Sequence, residues 1–191
     1  MADIKGTQTE KNLLTAFAGE SQARNRYTLF AEKAIEEGYI QIAEIFEITA
    51  KNEYEHAKRL FSFLEGGELE ISAAFPAGKV GTTLENLKAS AEGENYEYTS
   101  MYPEFAETAK AEGFPQIAAV LKSIAIAEDG HEKRFLKLAD NVKNCNVFKK
   151  ENKQVWKCIK CGYIHTKEEA PKVCPVCLSP QDYFELASHN Y

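Results

Sequence analysis

Glu53-Tyr54-Glu55-His56 and Glu128-Asp129-Gly130-His131 decide the reading of this chain. Each is a Glu-x-x-His, and each follows a further glutamate one helix length upstream, Glu20 and Glu94. On a helix, positions i and i+3 point to nearly the same side, so one such segment offers a carboxylate and an imidazole to one ion. Two such helices, with one glutamate from each of two more, make the ligand set of a carboxylate-bridged di-metal site in a four-helix bundle.

The two segments belong to an internal repeat. At an offset of 75, Gly38-Tyr39-Ile40-Gln41-Ile42-Ala43 lies over Gly113-Phe114-Pro115-Gln116-Ile117-Ala118, His56 over His131 and Arg59 over Arg134. A helix pair used twice is the expected make-up of an up-down bundle. The first helix is expected from about Thr9 to Glu37, capped by Thr7 or Thr9 and ended by Gly38. The second runs from about Ile40 to Leu64. A crossover from Glu68 to Gly81 contains Phe75-Pro76-Ala77-Gly78, which does not continue a helix. The third starts at Thr82 or Thr83, with Thr83 and Asn86 as a partial capping signature, and ends near Gly113. The fourth follows Pro115 and runs to about Lys143.

The repeat slips in one place. Glu20 and Glu94 differ by 74, whereas everything after the first and third helices differs by 75. The third helix therefore holds one extra residue between Glu94 and about Ala106, which predicts a π-bulge there. Pro103 in this stretch already removes one backbone hydrogen bond.

Glu20, Glu53, His56, Glu94, Glu128 and His131 form a symmetric set. Glu97 is an unsymmetric extra on the face of Glu94. Their neighbours are apolar or small: Phe17, Ala18 and Ala23 near Glu20, and Ile124, Ala125 and Ala127 before Glu128. Carboxylates facing such a core and each other are costly unless a cation lies between them. A single Glu-x-x-His in a Glu-rich helix is more often surface decoration, but two at matched positions of a repeat are not. Glu55, Glu92 and Glu132 read as solvated helix charges. Carboxylate and imidazole together suit iron, manganese or zinc.

Cys158-Ile159-Lys160-Cys161-Gly162 and, after twelve intervening residues, Cys174-Pro175-Val176-Cys177 form two Cys-x-x-Cys knuckles. Such a pair makes a tetrahedral four-sulfur site, for zinc or iron. Trp156, Tyr163 and Phe184 supply a small aromatic core. Cys145 reads as a bystander. Organisation follows: a bundle over residues 1–146 and a small metal domain over 147–191.

With 44% hydrophobic and 27% charged residues, composition is that of a soluble protein. No apolar run approaches the roughly 20 residues that span a bilayer, and Met1 to Glu10 is polar, so no membrane association and a cytoplasmic location are expected. Cysteines in that setting read as metal ligands rather than disulfides. The net charge of −6 argues against a nucleic-acid partner.

Four segments resemble the rubrerythrin family: Ala16 to Tyr27 (AFAGESQARNRY), Glu53 to Leu60 (EYEHAKRL), Ala74 to Gly78 (AFPAG) and His131 to Phe135 (HEKRF). The knuckles resemble a rubredoxin module, and the order of the parts is that of rubrerythrin. The resemblance implies an all-α, ferritin-like four-helix bundle with a di-iron site, and a small, β-rich, rubredoxin-like C-terminal domain with an FeS₄ centre. It implies a cytoplasmic homodimer or higher assembly. The implied activity is reduction of hydrogen peroxide to water in oxidative-stress protection. Its electrons would pass from NADH, through a separate reductase or rubredoxin, to the FeS₄ centre and then the di-iron site. Helix rise puts the start of the cysteine module about 18 Å along the axis from the di-iron site, so the centre is expected to face the bundle of a partner subunit.

Residue by residue, the resemblance makes Glu53 and Glu128 bridging ligands, Glu20 and Glu94 terminal ligands, and His131 a ligand of the second iron. Glu97 and His56 become alternative ligands of the first iron. Tyr27 and Tyr102, at equivalent repeat positions, become donors to the ligating glutamates. Cys158, Cys161, Cys174 and Cys177 hold the third iron. Leu178 departs from a glycine common in rubredoxins, and Gly130 is a poor helix former beside a bridging ligand. Two other functions compete. Iron oxidation and storage needs no electron relay, and a zinc-ribbon adaptor on a structural bundle would be colourless.

Overall fold

The computed structural model describes residues 3–188; the outermost residues of the two expected domains, 1–2 and 189–191, lie outside the described residues. Five α-helical segments precede three short strands. They are α1 (Gln8–Glu36), α2 (Ile40–Phe61), α3 (Thr83–Tyr96), α4 (Tyr102–Ala111) and α5 (Pro115–Lys143). α3 and α4 are one helical rod interrupted by a π turn at Glu97–Met101, so the bundle has the four expected rods. The Tyr102 amide donates to the Glu97 carbonyl, five residues back. The extra residue counted from the repeat is thus absorbed as a π-bulge inside the predicted interval.

Helix ends follow local chemistry. The Thr7 side chain accepts from the Glu10 amide at 3.1 Å, and Gly38, at φ +79°, lets the chain leave α1. Two boundaries differ from expectation. α2 ends at Phe61, not Leu64: the Ser62 hydroxyl donates to the Arg59 carbonyl at 2.6 Å, and the chain turns toward Gly66 and Gly67, both at positive φ. α3 is capped by Thr82 with Glu85 in a full capping box. The expected Thr83–Asn86 pair does not form, because Asn86 bonds Gly81 both ways at 2.9 and 3.1 Å.

A second relationship ties the two halves. The Glu112 carboxylate, past the end of α4, accepts from the Thr9 amide at 2.7 Å, and Glu37, past the end of α1, accepts from the Thr83 amide at 2.9 Å. Each half therefore caps the first turn of the other, where negative charge is favoured.

Two apolar clusters fill the bundle. One centres on Phe30, Phe46 and Phe135, the other on Leu13, Leu60 and Leu121. The metal-ligand candidates lie between them.

β1 (Lys149–Cys158) is the middle strand of a three-stranded antiparallel sheet, flanked by β2 (Ile164–Glu169) and β3 (Phe184–Leu186). Trp156 and Phe184 are buried beneath it with Tyr163 packed alongside, as the sequence predicts. The module rests on the α1–α2 corner. Tyr39 stacks on Phe148 with ring centroids 6.3 Å apart, and Gln41 donates to Glu185 at 3.4 Å.

Candidate metal centre

α1, α2, the α3 rod and α5 each turn a carboxylate inward at one level of the bundle. Glu20, Glu53, Glu94 and Glu128 are essentially inaccessible to solvent. Two donor groups form, each with ligand atoms mutually within 4.8 Å: Glu20, Glu53, His56 and Glu128, and Glu53, Glu94, Glu128 and His131. Glu53 and Glu128 belong to both. His56 Nδ1 is 2.9 Å from Glu128 Oε1, 3.0 Å from Glu53 Oε2 and 3.6 Å from Glu20 Oε1. His131 Nδ1 is 2.7 Å from Glu128 Oε2, 3.2 Å from Glu53 Oε1 and 3.9 Å from Glu94 Oε2. Each shared carboxylate turns one oxygen to each imidazole, which is the arrangement of a bridge between two ions.

These atoms are close without being hydrogen-bonded. Both oxygens of Glu53 and of Glu128, one of Glu20, and both Nδ1 atoms are buried with no hydrogen-bond partner. Orphaned buried polar atoms are expensive. Two ligands at right angles, each about 2.1 Å from one ion, lie about 3 Å apart, which is the spacing observed. The donor set fits iron.

The charges make the same point. Burial raises Glu20 to about 8, only partly offset by His56. Burial also lifts Glu94 well above the usual carboxylate range, and the charges of Glu53 and Glu128 add to it. Burial would raise Glu53 too, but His131 and His56 pull it down to about 2. Burial would lower both imidazoles, yet their carboxylate neighbours, Glu128 foremost, raise them, His131 to about 9. Without a cation, the cluster must hold protons that a metal displaces.

Tyr27 donates to Glu94 and Tyr102 donates to Glu20, both hydroxyls buried. Burial and the facing carboxylates keep both phenols well above their usual range. Glu97, the first residue of the π turn, belongs to neither donor group. It is half-buried. Burial, then the charges of Glu20 and Glu94, lift its carboxyl well above the usual range.

In the C-terminal module, Cys158 Sγ lies 3.7 Å from Cys177 Sγ and Cys161 Sγ lies 3.6 Å from Cys174 Sγ. Four sulfurs about 2.3 Å from one ion at tetrahedral angles lie about 3.8 Å apart, so this set fits a single iron. Contact with the Ser179 hydroxyl and amide lowers Cys177 to about 6, favouring the thiolate that binds metal. The two knuckles close alike: the Gly162 amide bonds Cys158 O at 2.9 Å and the Leu178 amide bonds Cys174 O at 3.0 Å. Leu178 does so at φ +60°, where Gly162 has +76°. Cys145 is exposed and apart from both sites.

One residue near the site went unnoticed in the sequence. Arg134 Nη2 donates to the buried Thr49 hydroxyl at 2.8 Å, one turn from His131 and from Glu53. The repeat placed Arg134 over Arg59, but the partner on the facing helix has no sequence signal.

A four-helix bundle with two interleaved carboxylate–imidazole donor groups, followed by a four-cysteine knuckle module, defines a ferritin-like di-iron protein with a rubredoxin-like domain. Comparison with known proteins agrees. The rubrerythrin family model matches residues 11–139, and the model of the rubrerythrin rubredoxin-like domain matches residues 156–185. The chain is 58% identical to rubrerythrin of Porphyromonas gingivalis, covering 98% of this chain and 94% of that one. It is 56% identical to rubrerythrin of Nitratidesulfovibrio vulgaris over the full length of both. The solved structure of fully reduced, all-ferrous nigerythrin superposes with a TM-score of 0.64 at 32% identity, over 96% of this chain and 91% of that one. The chain belongs to the rubrerythrin family.

Proposed function

We propose that this protein is a non-haem di-iron peroxidase of the cytoplasm. It reduces hydrogen peroxide to two waters with two electrons and two protons. NADH supplies the electrons through a reductase or rubredoxin and the four-cysteine iron. The observation that carries the reading is the pair Glu53 and Glu128, each turning one oxygen toward each imidazole, on a chain that also holds a four-sulfur site. Storage of iron gives no reason for the second site.

Glu53 and Glu128 would bridge two irons, with Glu20 and His56 completing one side and Glu94 and His131 the other. Bound there, an iron pair supplies two electrons together and Lewis acidity toward the O–O bond. The protein's own groups do the rest. Glu97 and His56 are the more exposed members of the cluster, so peroxide approaches from their side. Glu97, whose carboxyl is lifted above the usual range, is the acid placed to hand a proton to a departing oxygen. Tyr27 and Tyr102 fix the orientation of Glu94 and Glu20 and keep their negative charge in place. The apolar clusters above and below exclude bulk water. No helix among the described residues is long and apolar enough to cross a membrane.

Metal analysis and visible absorption of the anaerobically purified protein test the assignment. Three irons per chain are expected, with a coloured four-sulfur centre. After reduction, peroxide should reoxidise that centre. A colourless protein with zinc in the cysteine site, or a reduced centre that peroxide leaves unchanged, would overturn the electron relay.

A further inference from the structure

Outside the cluster of carboxylates and imidazoles, and among the described residues, the side chain of Arg134 on α5 donates across the seam to Thr49 on α2. These two helices carry Glu53 and His56 on one side and Glu128 and His131 on the other. The bond is well made. Thr49 is fully buried and gives its own hydrogen to Ile45 O at 2.8 Å, which leaves its lone pairs to the guanidinium. Arg134 Nε is buried without a partner, so the guanidinium is anchored through Nη2. A charge-assisted bond of this kind in a low-dielectric seam is among the stronger ones.

The other half of the site has no counterpart. At the repeat offset of 75, Arg134 corresponds to Arg59 and Thr49 to Ile124, which cannot accept a hydrogen bond. Arg59 instead turns along its own helix end. Its guanidinium lies 4.3 Å from the Phe63 ring centroid, and it donates to Ser62 at 3.3 Å. The pseudo-symmetric bundle is thus tied across the seam beside His131 and left untied beside His56.

We infer that Arg134 is a positioning residue: through Thr49 it pins the His131 half of the metal site and leaves freedom of movement to the His56 half. The inference rests on the metal reading above.

Release of ferrous iron from the reduced full-length protein to a ferrous chelator tests it, followed by chelator colour, with the four-cysteine iron tracked by its own absorption. Two bundle phases are expected in the wild type, one fast and one slow. Arg134→Met and Thr49→Val should each accelerate the slow phase by about ten- to a hundredfold, the usual effect of removing a group that orients a metal ligand. The double variant should be no faster than either single one, because both remove the same bond. Thr49→Ser, which keeps the acceptor, should restore the slow phase, and Arg59→Met should leave both phases as they are. Two bundle irons leaving the wild type at one rate would overturn the inference while the metal reading stands. So would additive effects in the double variant, or a slow phase unchanged in Thr49→Val. A wild type that takes up no iron in its bundle would instead overturn the metal reading itself.

Discussion

The Tyr27 hydroxyl, on α1, donates to the Glu94 carboxylate, on the opposite pair of helices. Its repeat counterpart Tyr102 returns the bond to Glu20. Each half of the bundle therefore orients a ligand of the other. Tyr27→Phe keeps the packing against Phe46 and Phe135, whose ring centroids lie 6.0 and 5.4 Å from that of Tyr27, but leaves a Glu94 oxygen without its donor. Iron affinity of the bundle should fall by about tenfold or more, measured by chelator competition, with the four-cysteine site unaffected. Affinity equal to the wild type would show that the phenol does not orient the ligand.

The metal-free protein should lose stability as the solution becomes alkaline. Glu20 is raised from 4.5 to about 8, so its contribution is whole below pH 4.5 and is lost as pH rises through 8. His131 is raised from 6.5 to about 9, so its contribution is whole below pH 6.5 and is lost as pH rises through 9. Glu53 is lowered to about 2, so its contribution is present above pH 4.5 and is lost as pH falls through 2. Between pH 6.5 and 8 the first two act together. The Tm of the iron-free chain should drop across that interval, while the iron-loaded chain, its ligands already deprotonated, should change little. An iron-free Tm that rose over the interval would contradict the assignment of these protons.

Much of this was legible in the sequence because the chemistry is periodic. Glu-x-x-His at i and i+3 fixes which side of a helix faces the metal, and the repeat offset fixes which helices pair. The step from 74 to 75 between Glu20/Glu94 and the later pairs located the π turn at Glu97–Met101. Contacts between helices without a periodic signature were not legible. The Glu37 and Glu112 caps on Thr83 and Thr9 join residues 46 and 103 positions apart, and nothing local in either stretch marks them. The Thr82–Glu85 box is local and lies in the sequence as Thr-x-x-Glu, but the expected start lay at Thr82 or Thr83 with Thr83 and Asn86 as the partial signature, whereas Asn86 bonds Gly81. The Arg134–Thr49 bond depends on how two helices lie side by side, which spacing along one helix does not encode.

Two glycines should respond to alanine with opposite signs. Gly38 has φ +79°, and an added Cβ would lie 3.1 Å from the Asp182 carboxylate where the module meets the bundle. Gly38→Ala should cost about 1–2 kcal/mol from the left-handed backbone alone and more from the contact. Gly130 is exposed, with open space where its Cβ would stand, so Gly130→Ala should stabilise α5 by about 0.5–1 kcal/mol. Denaturant midpoints measure both. A Gly38→Ala variant as stable as the wild type would mean the corner relaxes freely.

The four-sulfur iron should serve the di-iron site of another subunit. α5 continues twelve residues past His131 to Lys143, a rise of about 18 Å along the axis. The module then folds against the α1–α2 corner, through Tyr39–Phe148 and Gln41–Glu185, at the bundle end away from the metal cluster. The chain's own module is therefore held far from its own site, and a head-to-tail partner would bring a second module to the bundle wall. Charge favours such an encounter: residues 147–191 carry a net +2 and residues 1–146 a net −8. Glu53→Ala disables the bundle of one chain, and Cys158→Ala disables the relay of another. Mixed under subunit exchange, with heterodimers verified by mass, the two inactive variants should recover NADH-linked peroxide reduction in the heterodimer fraction. The Cys158→Ala chain alone should still show one fast oxidation of its pre-reduced bundle, since only delivery of electrons is lost. Heterodimers without activity would show that each centre feeds its own chain.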